Sequence, residues 1–490
     1  MCKADNRSRC PLRPWSLRML RGLAATATAC MSLASAYGWG GEHNYITAAA
    51  VEALTDNNRS VIAPETAALA RVYCEFPDLN WPCYGEWGGG NADPRLPRFP
   101  DTRREWDISF YCGWDPVLQK GRHYPHQPPQ SLEAAARHFE RTVDVLRAGH
   151  LADAARSAGV MFHYVQDSGS FPHIQPIHRA FHTKNLKAIG VAGYAPRQLG
   201  QTPAEAAAAL TSRARALVDW TERRLAPLLA DAGLPLDEAK RLCTKEVLPA
   251  AVTRAVTRLR AEKPADYETA ALDCANECVR VCADALHSAL ALTPRPLPLP
   301  APHKPGVNLV FNPSFEIGEG ERAPEGWCTG WFDLADRVGR AEWYSAGTHW
   351  NKPVKTGRHS AMLLWTPQKG LEWRQTWRRA VPVEAGETYH GSAWIKTRAA
   401  TGSTWLALQF SDTTYKPISE AKSEVVKGDI EWQKLSVEAC VPPNARWLRL
   451  ILHTEANSGA SWFDDVEAVK VAPEQTIAAP EGKENASCSQ

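Results

Sequence analysis

Segment 159–182 reads GVMFHYVQDSGSFPHIQPIHRAFH and concentrates side chains able to bind metal. His163 and Asp167 stand four residues apart within 151–167, a stretch of helical periodicity, so both project from one helix face. Gly169 and Pro172 break that helix, and His173 follows at once. A second helical run from Pro176 sets His178 and His182 at the same spacing. Imidazole combined with carboxylate suits zinc. The two oxygens of Asp167 allow it to bridge two ions. Close metal pairs suit in-line displacement at phosphorus, one activating water and the other stabilising the leaving oxygen. Upstream donors include His43 in the run Trp39-Gly-Gly-Glu-His43, Asp78 after Phe76-Pro77, and Asp101 after Phe99-Pro100. If the mature chain starts at Trp39, its free amine and carbonyl can chelate beside His43.

The elements that must position these residues fall into two regions of different pattern. Residues 39–292 are rich in Ala, Leu and Arg with helical periodicity, as in 131–148, 151–167, 203–231 and 268–292. A Gly-, Pro- and Trp-rich excursion, 74–130, interrupts them; such long loops in compact domains usually serve function. The proline-rich stretch within 293–307 reads as a semi-rigid, extended linker. Residues 308–471 then show short alternating apolar runs separated by Gly, Pro and Asn turns, the pattern of an all-β sandwich. The polar tail 472–490 reads as disordered.

Residues 1–38 read as an export signal. Arg13, Arg18 and Arg21 precede a small, apolar stretch from Leu23 to Ala36 that is too short to span a bilayer. Cleavage before Trp39 and cleavage after Ala36 both fit. The expected address is secreted or periplasmic, where disulfides form. Ten of the 13 Cys lie beyond residue 38. The favoured pairs are Cys74 with Cys83 and Cys328 with Cys440, and the stripe Cys274, Cys278 and Cys282 reads as candidate disulfide partners for Cys243. Net charge is only +2 over 490 residues, which gives no broad basic field for nucleic acid.

The run His163-Tyr164-x-x-Asp167, with Pro172-His173 completing it, resembles the zinc-dependent phospholipase C family, which shares its fold with the single-strand-specific secreted nucleases. The resemblance covers about residues 39–290. It implies an all-α domain with a cluster of two to three zinc ions. Carried over by position, Trp39, His43 and Asp167 hold one ion. Asp78, His163 and Asp167 hold a second, and His173 with a later His holds a third. The loop Asp of that family, here Asp78, is its general base. The family also has a His after the loop Asp; here Cys112, His123 and His126 compete, with His126 preferred. Its closing H-x-x-x-E or H-x-x-x-D becomes His178-x-x-x-His182. Asp101 rivals Asp78 as the loop carboxylate, with Asp78 preferred. The implied substrate is a phospholipid, with single-stranded nucleic acid as the alternative; Arg95, Arg98, Arg103 and Arg104 among the 81–114 aromatics offer a track for the latter.

The opening run Asn308 to Glu316, the stretch 383–396 and the closing Trp462-Phe463-Asp464-Asp465-Val466 resemble carbohydrate-binding modules of the jelly-roll type. That likeness implies a polysaccharide or cell-surface glycan partner, with structural Ca2+ at Glu316 and Asp464, where carboxylate oxygens suit a hard cation. Trp331, Trp343 and Trp350 are the candidate sugar-stacking residues. A glycan-binding surface protein whose metal site is only structural is the reading from another class.

Overall fold

The computed structural model describes residues 42–79, 105–115, 120–122, 124, 126–169, 183–242, 250–297, 302–318, 324–329, 340–345, 353–366 and 370–472. The first half is helical. Helices α1 (Glu42–Glu52), α2 (Asp56–Ile62), α3 (Thr66–Arg71) and the short α4 (Phe76–Leu79) lead to α5 (Ile108–Cys112). The long elements follow: α6 (Gln130–Arg147), α7 (Leu151–Gly169), α8 (Pro203–Asp231), α9 (Leu236–Leu242), α10 (Ala250–Glu262) and α11 (Pro264–Ala291). None of the helices among the described residues is long and apolar enough to cross a membrane.

Helix α7 is the axis of this half and is buried on every side from Ala154 to Gly169. Its small residues Ala154, Ala155, Ser157, Ala158 and Gly159 allow neighbours to close in from all directions. At Gly159 a Cβ would stand 2.4 Å from the Tyr73 Cβ and 2.5 Å from its carbonyl carbon, so only glycine admits the 3-10 turn Tyr73–Glu75 against the helix. At Gly169 a Cβ would meet the Cys278 Sγ at 2.2 Å. Helix α8 starts with a capping box: Thr202 accepts from the Glu205 N–H, Glu205 accepts from the Thr202 N–H, and Pro203 takes the first helical position.

The second half is an antiparallel β-sandwich. One sheet runs β10 (Pro417–Lys422), β9 (Ser403–Ser411), β13 (Trp447–Glu455), β6 (Leu371–Gln375) and β3 (Trp327–Thr329). The other runs β12 (Ile430–Cys440), β8 (Thr388–Arg398), β14 (Ala460–Lys470), β5 (His359–Leu364) and β4 (Arg340–Ser345). Four two-residue strands complete the set: β1 (Trp114–Asp115) pairs with β2 (Lys120–Gly121) in the first half, and β7 (Val381–Pro382) and β11 (Val426–Lys427) join the first sheet at β13 and β9. Alternation along the strands fills the space between them: Leu406, Leu408, Phe410, Leu448, Leu450 and Leu452 face Tyr389, Ala393, Ile395, Phe463 and Val466.

The sandwich is not a loosely tethered module. Its residues Trp377, Ala380, Tyr415 and Trp447 belong to the hydrophobic core of the helical half, packed with Tyr73, Phe76 and Trp106. Glu105 pairs with Arg449 at 2.9 Å and with Arg374 at 3.3 Å across the same seam. The Thr376 hydroxyl donates to Asp107 at 2.8 Å.

One cysteine expectation, the Cys328–Cys440 pair, needs correction. No disulfide forms among the described residues. Cys328 is buried in β3 with its thiol donating to the Arg374 carbonyl, whereas Cys440 is exposed at the end of β12 in the opposite sheet. Strand β3 is the edge strand at one side of its sheet, whereas β12 lies over β9 and β10 at the other, so the two cysteines stand at opposite edges of the sandwich. Cys274, Cys278 and Cys282 face inward along α11, and burial pushes all three thiols up in pKa. Cys282 contacts the Phe162 carbonyl at 4.0 Å and Cys278 that of Gln166 at 3.7 Å, so the stripe serves helix packing. Cys83 and Cys243 lie outside the described residues.

Candidate metal centre

Four elements converge beside the C-terminal half of α7. Helix α1 supplies His43, α7 supplies His163 and Asp167, α4 supplies Asp78, and the loop before α6 supplies His126. Donor atoms of His43, His163 and Asp167 lie within 4.8 Å of one another, and so do those of Asp78, His126 and His163. His163 belongs to both sets.

The imidazoles are held in defined tautomers. Gln166 donates its amide to the Thr47 hydroxyl at 2.9 Å, which turns its carbonyl oxygen toward His43. His43 Nδ1 donates to that oxygen at 2.5 Å, leaving Nε2 with a lone pair. His163 Nδ1 donates to the Cys74 carbonyl at 2.7 Å, so its Nε2 also faces the centre. This is the arrangement in which an outer hydrogen bond orients a ligating imidazole. The two rings stack at 4.2 Å.

Asp167 organises the inner atoms. Its Oδ2 lies 2.8 Å from His126 Nδ1 and 3.2 Å from His163 Nε2. Its Oδ1 faces His43 Nε2 at 3.8 Å. Asp78 Oδ1 stands 3.6 Å from His163 Nε2 and 3.8 Å from His126 Nδ1. Ligands about 2.0–2.2 Å from a tetrahedral zinc are separated by roughly 3.3–3.5 Å. The spacings therefore fit donors around a central ion.

The electrostatics can accommodate a cation. His43 Nε2 is buried without a hydrogen-bond partner, and His163 Nε2 approaches His126 Nδ1 at 3.1 Å. At that separation one nitrogen donates a proton to the other, and a bound cation would take that proton's place. Burial opposes charge on His163, but the carboxylates of Asp167 and Asp78 more than offset it and raise its pKa to about 9. Burial and the neighbouring His163 hold His43 well below the usual imidazole range. Glu75 is pushed up to about 8, by burial and then by Asp78. The donor set thus fits zinc, by residue type, by spacing and by an orphaned buried nitrogen.

Exposure is graded across the site. The side chains of His43, His163 and Asp167 are fully buried, while Asp78 and His126 retain 15% and 10%. Among the described residues, Asp78 and His126 mark the open edge.

Of the residues singled out in the sequence, the structure thus brings together His43, Asp78, His126, His163 and Asp167. Trp39, Asp101, His123, His173, His178 and His182 lie outside the described residues. Cys112, the rival of His126, is a buried thiol whose pKa is raised by burial, and it joins neither donor set. Three contributors went unread: Gln166, the Cys74 carbonyl and Glu75. Gln166 carried a readable signal, because it precedes Asp167 on a helix that must also face the His43 segment. A backbone carbonyl carries none.

In the β-sandwich, Glu316 and Asp464 grip one loop. Glu316 Oε1 accepts from the N–H groups of Arg358 and His359, and Asp464 Oδ2 accepts from those of Lys355 and Thr356. Trp331, Trp350 and the side chain of Trp343 lie outside the described residues. Trp405, by contrast, stacks on His453 at 4.2 Å with Lys422 also 4.5 Å from its ring centroid.

No family model matches this sequence, and no curated protein matches it. Solved structures with some likeness include the CBM22-1 xylan-binding domain from Paenibacillus barcinonensis Xyn10C, at 16% identity, covering 35% of this chain and 98% of that one, with a TM-score of 0.26. TmCBM61 in complex with β-1,4-galactotriose is 19% identical, covering 34% of this chain and 99% of that one, with a TM-score of 0.24. The enzymatically active domain of tailspike protein 4 from bacteriophage CBA120 is 16% identical with a TM-score of 0.25, and 34% of this chain spans 22% of it.

Proposed function

We propose that the helical half is a zinc-dependent phosphoester hydrolase and that the β-sandwich directs it to a polysaccharide or glycan-bearing surface. One observation supports the first part above all: Asp167 offers one oxygen to His43 and the other to His126 and His163, the disposition of a carboxylate shared between two ions. Bound zinc supplies Lewis-acid charge stabilisation and activation of water. The chain's own contribution is to place the donors. Cys74 and Gln166 keep the imidazoles of His163 and His43 turned inward. Asp78, at the open edge, is placed to orient an incoming water and take its proton. A phospholipid with a phosphocholine-type headgroup is the first substrate reading, and single-stranded nucleic acid the alternative. Structural Ca2+ in the sandwich is a lesser part of the proposal. It would draw on the remaining lone pairs of Glu316 and Asp464, whose oxygens already accept N–H donors.

A second reading is favoured by the full burial of His43, His163 and Asp167: a glycan-binding surface protein in which the metal is structural. Elemental analysis of the purified full-length mature chain separates these from a metal-free protein. About two to three zinc ions per chain are expected, and none would sink the central claim. Release of phosphocholine from phosphatidylcholine vesicles, measured beside cleavage of single-stranded DNA, divides the enzymatic readings. Activity on neither, with zinc present, favours the structural-metal reading.

A further inference from the structure

The metal-bearing helix and the β-sandwich share a side-chain network that the hydrolytic reading does not use. Arg156 lies on α7 two turns before His163 and is fully buried. Its guanidinium donates to Asp153 at 2.9 Å, to the Tyr111 hydroxyl at 3.1 Å and to the Trp377 carbonyl at 3.3 Å. It also donates to the Tyr415 hydroxyl at 2.9 Å. The Tyr415 hydroxyl is in turn hydrogen-bonded to that of Tyr73.

Tyr73 is the residue before Cys74, whose carbonyl orients His163, and it opens the turn that runs into Asp78. The backbone of Tyr73 is pressed against Gly159 on α7. This segment is one 3-10 turn followed by a four-residue helix, too short to hold itself in place. Its lateral anchors include the Gly159 contact beneath it, the Asn44 amide on the Cys74 thiol, and the Tyr73 hydroxyl, which bonds to Glu65 as well as to Tyr415.

We propose that Tyr415 of the β-sandwich is a positioning residue of the metal centre, fixing the Tyr73–Asp78 segment so that the Cys74 carbonyl and the Asp78 carboxylate hold their places around His163. This rests on the metal-centre reading above. It goes beyond that reading by making the second domain part of the site rather than a targeting appendage. A purely structural Tyr415 would add stability at the seam and leave the donors' geometry alone.

The test uses the full chain with Tyr415→Phe, which keeps the ring in the core and deletes the hydroxyl shared by Arg156 and Tyr73. Tyr389→Phe is the matched control, because its phenol donates to Glu387 within the sandwich, far from the helical half. Zinc affinity is measured by chelator competition, the visible spectrum is recorded after Co2+ substitution, and amide exchange of residues 72–79 is followed in metal-free protein. Tyr415→Phe is expected to weaken zinc retention about tenfold, to shift the Co2+ bands and to speed exchange in 72–79, with Tyr389→Phe unchanged in all three. Tyr73→Phe, which breaks the same bond from the other side together with the Tyr73–Glu65 bond, is expected to reproduce these effects if Tyr415→Phe folds poorly, and Glu65→Gln, which keeps the phenol pair, is expected to leave zinc retention unchanged. A metal-binding wild type with indifferent Tyr415→Phe and Tyr73→Phe variants overturns the positioning role alone. A wild type that binds no metal overturns the metal-centre reading and this role with it.

Discussion

Helix α7 carries two buried polar centres, seven residues and roughly 10 Å apart. Around Arg156, a buried cation is surrounded by acceptors on Asp153, Tyr111, Trp377 and Tyr415. Around His163 and Asp167 the balance is reversed: carboxylates and imidazole nitrogens converge, and His43 Nε2 is left without a partner. The first centre has its counter-charge in Asp153, although Arg156 Nε has no hydrogen-bond partner of its own. The second is a set of donors that a bound cation would complete. Burial alone does not separate a structural polar cluster from a functional one. The separation lies in whether the converging groups surround a charge fixed to the chain or form a set of potential metal ligands.

The sharpest way to break the comparison is at its incomplete end. Asp167→Asn removes the shared carboxylate charge and is expected to take bound zinc below about one ion per chain and to abolish phosphoester hydrolysis, as read by elemental analysis and by assay. An unchanged zinc content would show that the second centre does not need its bridge. At the other end, Arg156→Met leaves the buried phenols of Tyr111 and Tyr415 without that donor and Asp153 with the Tyr111 hydroxyl but no counter-charge. A loss of about 3 kcal/mol in denaturant-unfolding free energy is expected, and a loss below about 0.5 kcal/mol would place Arg156 among ordinary surface charges.

A smaller effect is expected at the outer shell of the metal centre. Gln166→Leu frees the His43 ring while keeping its volume environment, and zinc affinity measured by chelator competition should fall roughly 10–100-fold. The smallest effect is electrostatic and belongs to the Arg156 centre. Glu65 is raised to about 7, by burial foremost, with Arg156, Tyr73 and Arg446 pulling it down and Asp153 pushing it up. Its folded pKa exceeds the ordinary value of 4.5, so the folded state holds the proton more tightly. The stabilising contribution is full below about pH 4.5 and is lost as pH rises through about 7. Glu65→Gln should flatten the pH dependence of unfolding free energy across that window; an unchanged slope would assign it to other groups.

Much of the site was legible because it is written in helical spacing. His163 and Asp167 at i, i+4 could face only one way, and the division into a helical half and a β half followed from a change in periodicity. His126 was less legible, since it lies in a loop where spacing does not dictate direction. The hydrogen bonds that set the tautomers were not legible, because one comes from a backbone carbonyl. The docking of the two halves was hidden for a different reason. The proline-rich stretch signals separation, and Trp377, Tyr415 and Trp447 look like any residues of a sandwich. Nothing in an alternating pattern says that an outward-facing aromatic enters a neighbour's core.

The shared core also sets an order of events during synthesis. Residues 42–291 leave the ribosome first, with Tyr73, Phe76 and Trp106 in place but lacking their cover. Chains generally fold domain by domain as they emerge. Here the first half stays unfinished until Trp377, Tyr415 and Trp447 have followed. Maturity of the helical half is thus timed by the last third of the chain, and a truncation far from its candidate metal centre acts as a truncation of the first core.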